Sequence, residues 1–160
     1  MLKVGSLFAG IGGIDLAFEQ AGVEIAGANE IDAAACKTYR HNFGNEYLVE
    51  NDIRKIKTDS IPDVDVLAGG FPCQPFSLAG VSKKNSMGRA TGFDDQTQGT
   101  LFFEIKEILA KKRPAAFMLE NVKNLFRHDQ GRTFEIIRHT LEDQLGYVVN
   151  WKIVDGSKWV

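Results

Sequence analysis

The residue best suited to nucleophilic chemistry in this chain is Cys73, set between two prolines in Gly70-Phe71-Pro72-Cys73-Gln74-Pro75-Phe76-Ser77. Pro72 and Pro75 restrict the backbone on either side, so the thiol has few directions in which to point. It follows the apolar run Val64-Asp65-Val66-Leu67-Ala68, which reads as a buried strand, and open α/β sheets place their chemistry just beyond strand ends. Free cysteines are commonly buried as small hydrophobes; that is the expectation for the second one, Cys36. Four further candidates close other predicted strands: the turn Gly10-Ile11-Gly12-Gly13, Glu30, Asp52 and Glu120. A glycine turn lets a ligand approach the backbone at a helix N-terminus, although the G-x-G-x-x-G dinucleotide spacing is absent. An acid about twenty residues later is where ribose hydroxyls are bonded, which is the place of Glu30, and Asp52 adds an acceptor for an adenine amino group. Each acid alone reads as a solvated strand end. Together with the glycine turn they point to an adenosine-bearing ligand.

These residues need a parallel sheet to bring them to one edge, and the alternation of strand and helix patterns predicts one. Leu2 to Phe8 reads as a first strand, followed by a helix with Ile14, Ala17, Phe18 and Ala21 at helical spacing and Gly22 at its end. Val23 to Asn29 is a second strand. Asp32 caps a helix that buries Cys36, Tyr39 and Phe43 before Gly44. Tyr47 to Val49 is a third strand, with a brief turn over Arg54 to Ile56, and Val64 to Ala68 a fourth. A helix starting near Thr100 buries Phe102, Ile105 and Leu109, ends on Lys111-Lys112-Arg113 and is stopped by Pro114. Ala115 to Leu119 is a fifth strand. Thr133 is the expected cap of a last helix, with Phe134, Ile137, Leu141 and Leu145 on its buried stripe, and Tyr147 to Val154 reads as a last strand. Ser77 to Gly99 has little periodicity, and a loop that long in a compact domain is usually functional or mobile.

The 160 residues suit one domain, 1–160, with a sizeable core. No apolar run approaches the ~20 residues of a membrane span, and the N-terminus lacks the form of a signal peptide. Two cysteines outside any Cys-x-x-Cys or Cys/His pattern indicate reduced thiols in a cytoplasmic protein, with no metal site. A net charge of −2 carries no basic footprint, but local patches matter more than totals. Three patches stand out: Lys83-Lys84 with Arg89, Lys111-Lys112-Arg113, and Lys123 with Arg127 and Arg132.

Ser6-Leu7-Phe8-Ala9-Gly10-Ile11-Gly12-Gly13, Glu30, Asp52-Ile53, Gly70 to Ser77, Gly99-Thr100-Leu101-Phe102-Phe103 and Glu120-Asn121-Val122-Lys123-Asn124 resemble the ordered motifs of the cytosine-5 DNA methyltransferases. The loop from Ser77 to Ser86 is most similar to the bacterial Dcm-type branch. The resemblance implies a Rossmann-like class I methyltransferase sheet, doubly wound, with S-adenosylmethionine as cofactor. Phe8 would lie against the adenine, Glu30 would hold the ribose and Asp52 with the Ile53 backbone would read the adenine edge. Ala9, Gly10, Gly12, Gly13, Gly70, Pro72 and Leu101 would complete the cofactor site, and Ile31 stands where family members often carry an aromatic residue. The resemblance also implies duplex DNA with a flipped cytosine as substrate, met by Ser77, Lys83, Lys84, Arg89, Asn121 and Val122, in a restriction-modification system.

Cytosine C5 is a poor nucleophile, so the ring must first receive electrons. A thiolate from Cys73 adding at C6 supplies them, and a donor at N3 stabilises the charge that develops. Glu120 is the expected donor, its carboxyl pushed toward the protonated form by apolar surroundings. The base must leave the duplex to be reached, and the Ser77 to Gly99 loop resembles the family loop that closes over DNA. The family pattern continues through further motifs, a target-recognition region and a last cofactor-contacting helix that are not in this sequence. The chain is therefore expected to be C-terminally incomplete, to leave a sheet edge exposed, to need a C-terminal half or second subunit and to show weak activity alone. A tRNA cytosine-5 methyltransferase, an inactive S-adenosylmethionine- or DNA-binding module and a nicotinamide oxidoreductase are the rival readings, in that order.

Overall fold

The computed structural model describes residues 1–71 and 101–158. Strands β1 (Lys3–Leu7), β2 (Glu24–Glu30), β3 (Leu48–Glu50), β4 (Val66–Gly70) and β5 (Ala116–Glu120) form one parallel sheet in the order β3-β2-β1-β4-β5. The chain runs outward from β1 through β2 to β3, then returns to the other side of β1 as β4. That reversal is a topological switch point, where open α/β sheets bind ligands.

Residues alternate between the two faces of each strand, so each strand feeds two cores. On one face Val4 and Ala68 pack with Ile14 and Phe18 of α1 (Gly13–Gln20), and Ala28 packs with Tyr39 of α2 (Ala33–Phe43). On the other, Leu7 and Leu67 meet Phe102, Ile105 and Leu109 of α3 (Leu101–Lys112) and Ile137 and Leu141, which lie in α4 (Arg132–His139) and the turn that continues it. The sheet is thus covered by helices on both faces, the doubly wound α/β arrangement expected from the alternating pattern. Asp32 caps α2 by accepting from the Ala35 N–H at 2.8 Å, and Gly44 ends it at φ 80°. Cys36 is fully buried in the α2 core, as its place on the apolar stripe predicts.

Four local expectations need correction. In α1, Ala17 and Ala21, expected on the buried stripe, face solvent, while Asp15 is fully buried. The glycine turn rotates the helix so that Ile14, Asp15 and Phe18 face the sheet. In α4 the cap position is Gly131, not Thr133. The chain enters through Asp129 and Gln130 at positive φ, and Thr133 is buried as the second residue of the helix, its hydroxyl 2.8 Å from His128 Nδ1.

Tyr147 to Val154 is irregular rather than a strand. A strand exists only through its ladder, and here the Tyr147 hydroxyl donates to the Pro114 carbonyl at 2.9 Å while its ring stands edge-on to Phe117. That anchor places the segment at the start of β5, not alongside it, and Trp151 turns into a ring cluster with Phe126 and Phe134. Among the described residues β5 therefore pairs with β4 alone and is an open sheet edge, because the strand expected at Tyr147 to Val154 is not formed, with Met118 43% exposed. The Lys111-Lys112-Arg113 patch is spent inside the fold. Lys111 pairs with Asp59 and Lys112 with Asp63, while Arg113 donates to the Leu145 carbonyl and stacks over Tyr147.

Candidate functional site

Strand register fixes which residues share the carboxyl edge of the sheet. Leu7 is level with Asn29 of β2 and Gly69 of β4, Glu30 with Glu50 of β3, and Gly70 with Glu120 of β5. The glycine turn leaves β1 at the centre of this edge, with Glu30 and Asp52 to one side and Gly70 and Glu120 to the other.

The turn is backbone under constraint. Phe8, Gly10 and Gly12 all have positive φ (55°, 58° and 94°), a region that costs a non-glycine residue about 1–2 kcal/mol. Such strain clusters at ligand sites. Gly12 is needed twice over, because a Cβ there would also lie 2.3 Å from the Phe43 ring. Gly10 and Gly13 differ: nothing lies within 4 Å of the place a Cβ would take, so the backbone at the lip of the turn faces open space. Ala9 donates to the Asn29 carbonyl at 2.9 Å, which sews the turn to the end of β2.

Glu30 is the hub beside it. One carboxylate oxygen accepts from the Gly10 N–H at 2.8 Å; the other accepts from the Ile31 and Asp32 N–H groups at 2.7 and 2.8 Å. A carboxylate has about four acceptor sites, so these three bonds orient Glu30 and leave it capacity for a ligand hydroxyl. Ile11 and Ile31, each 59% exposed, present apolar side chains near the opening. The Asn29 amide donates to the Val49 and Asn51 carbonyls, tying β2 to the end of β3. There Asp52 is bonded to the Arg54 backbone and guanidinium at 2.5–3.1 Å, and that hydrogen bonding holds its carboxyl below the usual carboxylate range. Ile53 is buried and lines a cavity of about 260 Å³ with Leu7, Asn29 and Val49.

On the other side, Gly70 lets Glu120 approach. A Cβ on Gly70 would sit 3.3 Å from a Glu120 carboxylate oxygen. Asn121 donates to the Phe71 carbonyl at 3.1 Å, clasping the segment that leads to Cys73, and accepts from the Val122 N–H. Glu120 is exposed, and the described residues form no apolar enclosure around it. Leu101 opens α3 and packs against the core. Pro72, Cys73, Ser77, Lys83, Lys84 and Arg89 lie outside the described residues. Among the described residues no group of three His, Cys, Asp or Glu side chains could hold a metal, and no helix is long and apolar enough to cross a membrane.

Sequence reasoning missed two features here: the buried Ser6–Asp15 pair under the turn and the Asn121 clasp. The signal for the first was a serine and an aspartate nine residues apart across a glycine turn. For the second there was no signal, because the acceptor is a main-chain carbonyl fifty residues away.

The C-5 cytosine-specific DNA methylase family matches residues 2–159. The chain is 47% identical over 158 residues to the type II methyltransferase M.Bsp6I of Bacillus sp. (strain RFL6), covering 98% of this chain and 47% of that protein. It is 47% identical over 182 residues to the DNA-cytosine methyltransferase of Escherichia coli K12, covering 96% of this chain and 38% of that one. The chain thus spans less than half the length of these curated relatives. Among solved structures it resembles a Spodoptera frugiperda DNMT2 mutant, with TM-score 0.66 at 25% identity over 89% of this chain and 41% of that one. The S. pombe Dnmt2 methyltransferase shares the fold, with TM-score 0.60 at 20% identity over 85% of this chain and 39% of that one.

Proposed function

We propose that this chain, which belongs to the C-5 cytosine-specific DNA methylase family, is the part of a DNA (cytosine-5-)-methyltransferase that holds the methyl donor and carries both reacting side chains. The family is a methyltransferase class; the finer reading is S-adenosylmethionine at the sheet edge and a cytosine flipped out of duplex DNA. The observation that carries it is the open space over Gly10 and Gly13 beside a carboxylate already aimed by three backbone bonds. An adenosine ligand needs both, a bare backbone to approach and an acceptor for its ribose.

When bound, S-adenosylmethionine supplies an electrophilic methyl group for C5. Glu30 would bond the ribose hydroxyls and Phe8, Ile31 and Ile53 would cover the adenine. Asp52 would read the adenine amino group, sharing its oxygens with Arg54. On the β4–β5 side the Cys73 thiolate would add to C6, and Glu120 would donate to N3 as negative charge develops there. Loss of the C5 proton then lets Cys73 leave by elimination. Gly70 gives Glu120 its room, and Asn121 with Val122 fixes the backbone from which it projects. Lys83, Lys84 and Arg89 would meet phosphates, with affinity falling as salt rises. Residues 1–160 form one partial catalytic domain of a cytoplasmic restriction-modification enzyme, completed by a C-terminal half or a second subunit.

The test is covalent trapping on duplex DNA containing 5-fluorocytosine, with S-adenosylmethionine, with and without a supplied C-terminal half. A Cys73-dependent adduct that needs the added half is expected. Trapping on tRNA but not DNA, or an adduct that survives Cys73→Ser, would overturn the assignment.

A further inference from the structure

The chemistry above makes no use of the most deeply buried acid among the described residues. Asp15, in the first turn of α1, has no exposed surface, and its two carboxyl oxygens both lie 2.8 Å from the hydroxyl of Ser6 on β1. We propose that Asp15 is a positioning residue that keeps its proton at neutral pH and, closed onto Ser6, locks the glycine turn in the form that receives the methyl donor. This rests on the cofactor reading given above.

The proton count follows from the two contacts. A serine hydroxyl has one hydrogen, so it donates to one carboxyl oxygen. The other 2.8 Å contact is a full hydrogen bond only when Asp15 donates in return. A carboxylic acid and an alcohol then close a small ring, each giving one bond and receiving one. A carboxylate would divide a single hydrogen between two oxygens and leave a charge buried without a counter-ion. Among the described residues, the groups acting on this carboxyl are the Ser6 hydroxyl from β1 and its own backbone N–H, with Tyr39 of α2 close enough to feel its charge. None is a cation. Burial pushes the Asp15 carboxyl above its ordinary range; the Ser6 hydroxyl and the Asp15 backbone N–H pull the other way without cancelling it.

The pair brackets the glycine turn. Ser6 and Asp15 stand at the two feet of residues 7–14, which include all three positive-φ positions. The Glu30–Gly10 bond holds the tip of the same turn and the Gly12–Ala9 backbone bond its middle. Ionising Asp15 would open one foot and place a negative charge under the turn.

The sign of the pH effect is fixed by the direction of the shift. A carboxyl held above its unfolded value makes folding most favourable at acid pH, and that stability declines as pH rises through the raised folded value. Asp15→Asn keeps one donor and one acceptor toward Ser6 and cannot ionise. We expect it to fold, to bind S-adenosylmethionine as the unaltered chain does at neutral pH, and to lose both the decline in stability between the ordinary carboxylate range and the raised folded value and the fall in affinity above that value. Asp15→Ala should weaken binding on the order of tenfold at neutral pH, the worth of one buried hydrogen bond. Difference infrared spectroscopy should find a protonated-carboxyl stretch at neutral pH that disappears in Asp15→Asn. Absence of that band, or an Asp15→Asn protein as impaired as Asp15→Ala, would overturn the proposal. Should the unaltered chain bind no S-adenosylmethionine, the cofactor reading fails, while the band and the flattened stability profile still report the Asp15 proton.

Discussion

On the β2–β3 side of β1 the acids at the sheet edge are already bonded within the chain, Glu30 to three backbone N–H groups and Asp52 to Arg54. On the β4–β5 side Glu120 stands exposed at the tip of an edge strand, and Met118, Val148 and Trp151 show large apolar surface to solvent. The first side is knit over sequence separations of about one βα unit: Gly10 to Glu30, Asn29 to Val49 and Asn51. The second relies on longer reaches, Asn121 to Phe71 and Tyr147 to Pro114. A ligand meeting the first side finds backbone and carboxylate in place. On the second, Glu120 has a position but, among the described residues, no enclosure. The contrast supports the division of labour proposed above, with the cofactor on the side whose acids are already bonded and base chemistry on the side where Glu120 is exposed.

The largest expected effect comes from breaking the finished side at its tightest point. Gly12→Ala adds a Cβ 2.3 Å from the Phe43 ring at a φ of 94°. Overpacking and left-handed strain together should cost about 2–4 kcal/mol, read as a lower melting temperature and loss of S-adenosylmethionine binding. A Phe43→Leu partner change should recover part of the stability, because it relieves the clash but not the strain. Wild-type stability in Gly12→Ala would show that α2 does not clamp the turn.

The two acids offer a direct comparison. Glu30→Gln replaces an acceptor oxygen by an amide, so one of its backbone bonds is lost. Stability should fall by about 1–2 kcal/mol and S-adenosylmethionine affinity with it. Glu120→Gln, at an exposed site, should shift stability by less than about 0.5 kcal/mol and leave cofactor affinity unchanged, yet abolish trapping on DNA in the completed enzyme. If Glu120→Gln weakened cofactor binding as much as Glu30→Gln, the division of labour across β1 would be wrong.

How much of this was legible beforehand follows the same line. The five strands, the capped α2 helix and the positions of Glu30, Asp52 and Glu120 at strand ends were readable because apolar runs, Asp32 and Gly44 are local signals. Asp15 was missed because a helical wheel places acids outward by default, and only the rotation set by the glycine turn puts this one inside. The failed strand at Tyr147 to Val154 had the right residue types. A strand's existence depends on a neighbour, though, and the pattern within one segment cannot report whether that neighbour is there. Cys73, the residue the motif argument favours most, lies outside the described residues, so its role rests on sequence and on the placement of Gly70 and Phe71 before it.

The smallest expected effects test whether the cofactor side is as complete as its acids suggest. Tyr39 and Tyr147 are both tyrosines packed against the sheet, one on each side, and their hydroxyls have opposite fates. The Tyr147 hydroxyl donates to the Pro114 carbonyl. The Tyr39 hydroxyl is fully buried and finds no hydrogen-bond partner among the described residues, and desolvation with the nearby Asp15 pushes its pKa up. Removing a satisfied hydroxyl loses a hydrogen bond, while removing an orphaned one relieves a desolvation penalty. Tyr147→Phe should therefore lower stability by about 1 kcal/mol and Tyr39→Phe should raise it by up to about 1 kcal/mol in denaturant unfolding. A stabilised Tyr39→Phe would locate an unfinished contact on the self-sufficient side, in the core of α2. Destabilisation there would mean that the hydroxyl finds a partner in solution, and Asp15 and Glu19 are the acids within its electrostatic reach.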